Sequence, residues 1–236
     1  MKPKELLEDI LRRARTVKEA GGNPLVVLDL DGTLFDNGPR TWKLVAEALE
    51  ESGFEAERKK LNATSNRFLP YLVTDFLEQA GIHGDDLVDQ VKKYWFSRFF
   101  TDRYQEYDVP LEGSVAFVKA LYEAGVTMVY LTGRDVPGML SGCTESLRAN
   151  GFPVGLIRTM MILKPDFETE DLVFKKEAAS FISQTGTVVA AFDNEPGNCN
   201  LFLNSWPDAL SVFLDTTCGP NPPALLDGVL SIERFE

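Results

Sequence analysis

Two aspartates one residue apart, Asp29 and Asp31, close an apolar run and are followed at once by Gly32 and Thr33. Residues two apart on an extended chain face the same side, so both carboxylates address one place if the strand persists through Leu30. Neighbouring carboxylates repel, and burying them is costly unless a cation or hydrogen-bond donors compensate. Mg²⁺ suits that need, because it takes oxygen ligands, keeps several waters and is held by one or two carboxylates together with a substrate phosphate. The plain alternative is a solvated turn in which Asp31 and Gly32 merely end a strand.

The elements around the pair decide between these readings. Residues 25–28 are continuously apolar, as in a parallel strand covered on both faces, and the carboxyl end of such a strand is where open α/β sheets bind ligands. From about residue 38 to about residue 108 the pattern is helical, with helices expected over 41–52, over 61–80 with a break at Pro70, and from Asp85 or Asp86 through Phe99. Strands and helices then alternate. A helix over 111–123 leads to a strand over 126–131 and a polar loop at 132–135. A helix over 140–150 leads to a short strand near 154–157. A helix over 174–184 leads to a strand over 187–192, and a late strand near 210–214 precedes a proline-rich tail. That alternation predicts β-α-β units and a Rossmann-like α/β/α core with a parallel sheet. Residues 1–37 and 109–236 form the core in this reading, and 38–108 form a small helical domain inserted into it.

The whole chain narrows the function classes. Its 236 residues carry a net charge of −12, which argues against long-range attraction to nucleic acid or anionic membranes and leaves room for a locally basic pocket. Residues 1–20 have apolar positions at helical spacing and charges throughout, so they read as an amphipathic helix and not a signal peptide. The three cysteines, Cys143, Cys199 and Cys218, have no metal-ligand spacing, which fits reduced packing thiols and a cytoplasmic setting.

Three polar loops follow three apolar strands: Asp29-Leu30-Asp31-Gly32-Thr33, Thr132-Gly133-Arg134 and Asp193-Asn194-Glu195. With a lysine at the start of the helix before the third strand, this order resembles the haloacid dehalogenase-like hydrolase superfamily over about residues 24–215. The resemblance is to its phosphatase-type members, with a helical cap inserted between the first and second motifs. It implies a Mg²⁺-dependent phosphomonoester hydrolase in which Asp29 attacks phosphorus to form an aspartyl phosphate and Asp31 serves as acid and base. It also implies that Thr132, Gly133 and a lysine bind the transferring group, with Thr33 and Arg134 beside the substrate. Lys175 is the preferred lysine by its place at a helix start; Lys164 and Lys176 are the alternatives. Asp193 completes the metal site with Asp29 and the main-chain carbonyl of Asp31. Here the chain departs from the common form, because Asn194, Glu195 and Asn198 stand where many members carry a second aspartate.

The resemblance places the insertion over the site, where it reads the substrate beyond its phosphate. Arg40, Asn66, Arg67, Arg98 and Arg103 are the polar candidates there, whereas Tyr94, Trp95, Phe96, Phe99 and Phe100 read as the insertion's own core. His83 and the acids Asp85, Asp86 and Asp89 read as exposed turn and helix-start residues. A phosphotransferase or mutase of the same architecture, or a phosphate-binding domain without catalysis, are the competing expectations. A monomer or a homodimer fits equally.

Overall fold

The structure is a computed structural model, and it describes residues 2–236. Six strands form one parallel sheet: β1 (Pro24–Leu28), β4 (Thr127–Asp135), β5 (Thr159–Lys164), β6 (Thr187–Asp193), β7 (Leu210–Leu214) and β8 (Leu230–Ile232). Their order across the sheet is β5-β4-β1-β6-β7-β8. Two short strands, β2 (Phe35–Asp36) and β3 (Val109–Pro110), pair antiparallel outside it.

Alternation along the central strands divides the core into two layers. Val26 and Leu28 of β1, with Met128 and Tyr130 of β4, pack against α1 (Pro3–Glu19), α6 (Ser114–Glu123) and α7 (Val136–Ala149). Leu25, Val27, Val129 and Leu131 face the other way, onto α8 (Asp171–Ile182) and α9 (Pro196–Ser205). Strands buried on both faces carry unbroken apolar runs, which is why periodicity alone found them. The tail contributes more than its prolines promised. β8 extends the sheet, and Phe235 packs its ring on Phe117 and Phe192 at centroid distances of 5.0 and 5.8 Å.

Between β2 and β3 runs the insertion: α2 (Gly38–Glu51), α3 (Glu55–Leu61), α4 (Val73–Gln79) and α5 (Asp85–Phe99), then a 3₁₀ turn at Arg103–Tyr107. It holds its own apolar cluster, including Val45, Leu49, Phe76, Leu77 and Val91. Of the helix or pair of helices expected over 61–80, the part beyond Pro70 forms as α4, whereas residues 62–72 are irregular, because Pro70 removes a backbone donor and disfavours helix at the residue before it. The expected strand near 154–157 is also displaced. Residues 152–158 form turns and the strand is β5, set into register when Met128 donates its N–H to the Arg158 carbonyl. Residues 132–135 continue β4 instead of forming a loop. The chain runs outward from β1 through β4 to β5 and returns on the other side at β6, so the carboxyl end of β1 lies at the switch point where α/β sheets open a crevice.

Candidate active site

Asp29 follows β1 and Asp193 ends β6, the adjacent parallel strand; the Asp29 N–H donates to the Phe192 carbonyl and carries the pairing to the edge of the crevice. Lys175, one turn into α8, projects its Nζ between them, 2.9 Å from Asp29 Oδ1 and 2.7 Å from Asp193 Oδ2. All three are buried, Lys175 at 2 % exposure. The two alternatives to this lysine are engaged elsewhere or exposed: Lys164 donates to the carbonyls of Phe167 and Thr169 and pairs with Asp171, and Lys176 faces outward. Burial, together with the negative charge of Asp193, raises the Asp29 carboxyl well above the ordinary carboxylate range although Lys175 pulls the other way. The same two acids raise the lysine further against its own desolvation. One lysine therefore faces two buried carboxylates, and the centre has room electrostatically for a further positive charge.

Asp31 lies in a different web. The Arg134 guanidinium grips its carboxylate at both oxygens, each at 2.8 Å, and Arg40 of α2 donates from Nη2 at 2.8 Å. Both arginines also bind Asp108, which precedes β3. Arg40 is fully buried, and its guanidinium lies over the Phe99 ring at 4.1 Å. Desolvation opposes ionisation of Asp31, but Arg134 and Arg40 outweigh it and hold the carboxyl far below its ordinary range. At the more deeply enclosed Asp108 burial wins, and the carboxyl is raised. Arg134 lines the cavity, yet its nitrogens, like those of the buried Arg40, are bonded to protein acceptors: Asp31, Asp108, Gln105 and the Phe99 carbonyl.

The turn after Asp31 needs Gly32. Its φ is +74°, and a Cβ there would collide with the Asn194 amide. Thr33 is fully buried below this turn with its Oγ1 3.4 Å from Asn194 Oδ1, so it braces the loop and does not reach the crevice. Thr132 is likewise 1 % exposed and accepts from the Arg134 N–H, while Gly133 and Asn194 line the cavity. Asn198 and the Glu195 N–H both donate to Asp193 Oδ1, and Glu195 itself accepts from Gly219. Asn198 therefore orients the aspartate instead of standing beside it.

These groups floor a cavity of about 950 Å³ between core and insertion, reaching from Asp29 and Lys175 to Phe68 and Phe96. Trp95, Phe96, Phe99 and Phe100 line it; Trp95, Phe99 and Phe100 also pack with Leu44 and Tyr104 inside the insertion, in keeping with their reading as its core, whereas Phe96 is 56 % exposed. Sequence reasoning missed Phe68, Tyr71 and Phe167, which sit in irregular segments with no periodicity to reveal a facing side. Asp108 was missed too; an acid two residues before a proline is an ordinary turn signal. Of the other arginines, Arg67 pairs with Asp36, while Arg98 and Arg103 lie on Tyr94 and Tyr104. His83, Asp85, Asp86 and Asp89 are exposed, as expected.

Among the described residues no three histidine, cysteine, aspartate or glutamate side chains converge as a ready-made metal cage. The donor set nevertheless fits a hard divalent ion of the Mg²⁺ kind, which needs few protein ligands, because Asp29 and Asp193 supply hard oxygens and excess negative charge. No helix among the described residues is long and apolar enough to cross a membrane.

Fold and site together define a Rossmann-like α/β protein with an acid–lysine–acid centre at the switch point of its sheet. The model of the haloacid dehalogenase-like hydrolases matches residues 24–161, more than half of the chain, and the chain belongs to that family. Lys175 and Asp193 lie beyond the matched segment. Among solved structures, a family hydrolase of subfamily IA from Geobacter sulfurreducens is similar with a TM-score of 0.54 at 13% identity, covering 91% of this chain and 94% of that one. Protein Tyrosine Kinase A of Mycobacterium tuberculosis is similar with a TM-score of 0.52 at 14% identity, over 89% and 93%. Identities this low carry the fold alone. No curated protein matches the chain.

Proposed function

We propose that the protein hydrolyses phosphate monoesters at Asp29. The observation that carries this reading is Lys175 Nζ set between Asp29 and Asp193 at the floor of the cavity. A carboxylate nucleophile beside a fixed cation and a second acid suits phosphoryl transfer, where positioning and charge neutralisation dominate. Asp29 attacks phosphorus, the ester oxygen leaves, and water then cleaves the aspartyl phosphate to return the carboxylate and inorganic phosphate.

Lys175 and the main-chain N–H of Gly133 address the non-bridging oxygens in this scheme, and the buried Thr132 shapes the strand end that presents them. Asp31, held ionised by Arg134 and Arg40, is equipped to take the proton of the attacking water. Protonating the leaving oxygen requires that this grip loosen for part of the cycle. Asp29, Asp193 and the carbonyl of Asp31, with Asn194 nearby, would hold Mg²⁺. When bound, it would neutralise phosphate charge and keep Asp29 ionised. The insertion over residues 38–108 acts as a cap that excludes water and reads the rest of the substrate.

Phosphate release from a panel of monoesters with and without Mg²⁺ tests the scheme, with the Asp29→Asn variant as its blank. Loss of turnover by at least three orders of magnitude in a variant that melts cooperatively is the expected result. Wild-type turnover by that variant sinks the mechanism.

A further inference from the structure

We propose that the ester delivered to Asp29 carries a flat aromatic ring, which stacks against Phe68 and the cluster formed by Phe96, Phe100 and Phe167. This inference rests on the phosphatase reading and adds the class of substrate.

Phe68 is the first observation. It is 58 % exposed, with the Arg67 guanidinium 5.3 Å from its ring centre, yet it holds φ at +52°, a region that bulky residues avoid at a cost of about 1–3 kcal/mol. Its conformation is imposed from the base of the insertion. The buried Asp36 carboxylate accepts the Phe68 N–H at 3.1 and 3.2 Å, the Gly38 N–H at 2.9 Å and the Arg67 guanidinium. A buried carboxylate thus holds the turn from which Phe68 lines the cavity.

The second observation comes from other elements. Phe96 and Phe100 of the α5 region meet Phe167 of the loop after β5 edge-to-face, with centroids 5.7 and 5.1 Å apart, and meet each other at 5.5 Å. Phe96 and Phe167 remain 56 % and 43 % exposed while lining the same cavity that reaches Asp29 and Lys175. A ring laid on such walls gains about 0.5–1.5 kcal/mol per aromatic contact beyond its buried area.

Competing ligands fit the walls less well. A sugar brings several hydroxyls, each costing about 1–3 kcal/mol if buried without a partner; Tyr71, Thr74, Lys92 and Lys93 also line the cavity, but Phe68, Leu69, Leu72, Val73 and Phe96 make the wall beside them apolar. A flexible alkyl chain would bury equal area but forgo the ring contacts and lose more rotamer freedom on binding. A volume of about 950 Å³ accommodates a fused ring system with its phosphate.

Four esters of primary alcohols keep the leaving group matched: 2-(1-naphthyl)ethyl phosphate, octyl phosphate, glycerol 1-phosphate and glucose 6-phosphate. The naphthyl ester should exceed each of the others at least tenfold in kcat/KM. In Phe68→Ala and Phe96→Ala its advantage over glycerol 1-phosphate should shrink three- to tenfold, mainly through KM. Because the ratio is taken within one variant, partial misfolding cancels. An octyl or glucose ester used as well as the naphthyl ester, or a ratio untouched in both variants, overturns the inference while leaving the phosphatase reading intact. Calorimetric titration of the Asp29→Asn variant with the naphthyl ester separates the two failures. Tight binding with no turnover by the wild type overturns the phosphatase and keeps the aromatic site; neither binding nor turnover overturns both.

Discussion

Replacing Lys175 by methionine, which keeps most of the stem's volume and removes the charge, asks how much the centre depends on its one cation. The amine is 2 % exposed and bonded to both acids. Burial already pushes Asp29 toward its neutral form, so that carboxyl takes a proton readily. The other carboxylate is then left buried without a cation, and breaking a buried pair in this way costs roughly 3–5 kcal/mol. Protonation limits the damage. Taking an ordinary carboxyl of pKa ~3.9 to its neutral form costs about 4 kcal/mol at pH 7 and about 1.5 kcal/mol at pH 5. The expected penalty is thus about 3–4 kcal/mol at neutral pH, a fall in melting temperature of roughly 6–16 °C for a chain of this size. Thermal melts of wild type and variant in EDTA, at pH 7 and pH 5, measure it. The deficit should shrink by more than half at pH 5, and excess Mg²⁺ at pH 7 should recover part of it by standing in for the amine. A variant that melts with the wild type at pH 7, or a deficit that is the same at both pH values, would refute the claim that Lys175 neutralises two buried acids.

Four further expectations follow from the structure. A raised carboxyl in the folded state binds its proton over a window where the unfolded chain has lost it, so Asp29 should make the metal-free protein lose stability as pH rises above the ordinary carboxylate range. Mg²⁺ affinity should climb over that window by up to about tenfold per pH unit, and calorimetry that finds a flat affinity from pH 5 to 8 contradicts it. Arg40→Lys keeps the charge but cannot bond Asp108, Asp31 and the Phe99 carbonyl at once; it should cost about 2–3 kcal/mol in denaturant melts, and a loss under 0.5 kcal/mol argues against the shared fork. Burial raises all three thiols, Cys143 to about 11, but only Cys218 is half-buried and open to reagent, so iodoacetamide at pH 8 should label one thiol in the native protein and three after unfolding, counted by mass.

Much of the core was legible because its signals are local. Residues 25–28 announce a covered strand, Asp29 and Asp31 mark its end, and the later alternation orders the remaining elements. Lys175 could be chosen over Lys164 by its place at the start of α8, where a helix packed on the sheet aims its first turn at the strand ends. What stayed hidden depends on long-range pairing. The grip of Arg40 and Arg134 on Asp31 joins residues 9 and 103 positions apart, and neither arginine differs in sequence from a solvated one. Phe96 of α5 shows a related limit: helical spacing marks an apolar face without saying whether protein or a cavity meets it, and this ring lines the cavity while its neighbours Trp95 and Phe99 pack within the insertion.

The pairing of β2 with β3 brings the entry and exit of the insertion side by side, so that roughly seventy residues depart from and rejoin the core at almost one point. Closing such an excursion costs only about 4 kcal/mol in chain entropy, and the bill barely changes with length. By that measure the segment is an exchangeable module, which recombination could trade for another without disturbing the sheet. Arg40 breaks that independence. It rides on the first helix of the module yet completes the charge balance around Asp31 and Asp108, and any replacement that lacked it would leave Arg134 alone against two acids. The insertion and the loop that carries Asp31 are thereby coupled through one side chain: a replacement segment keeps the charge balance only if it brings an equivalent of Arg40.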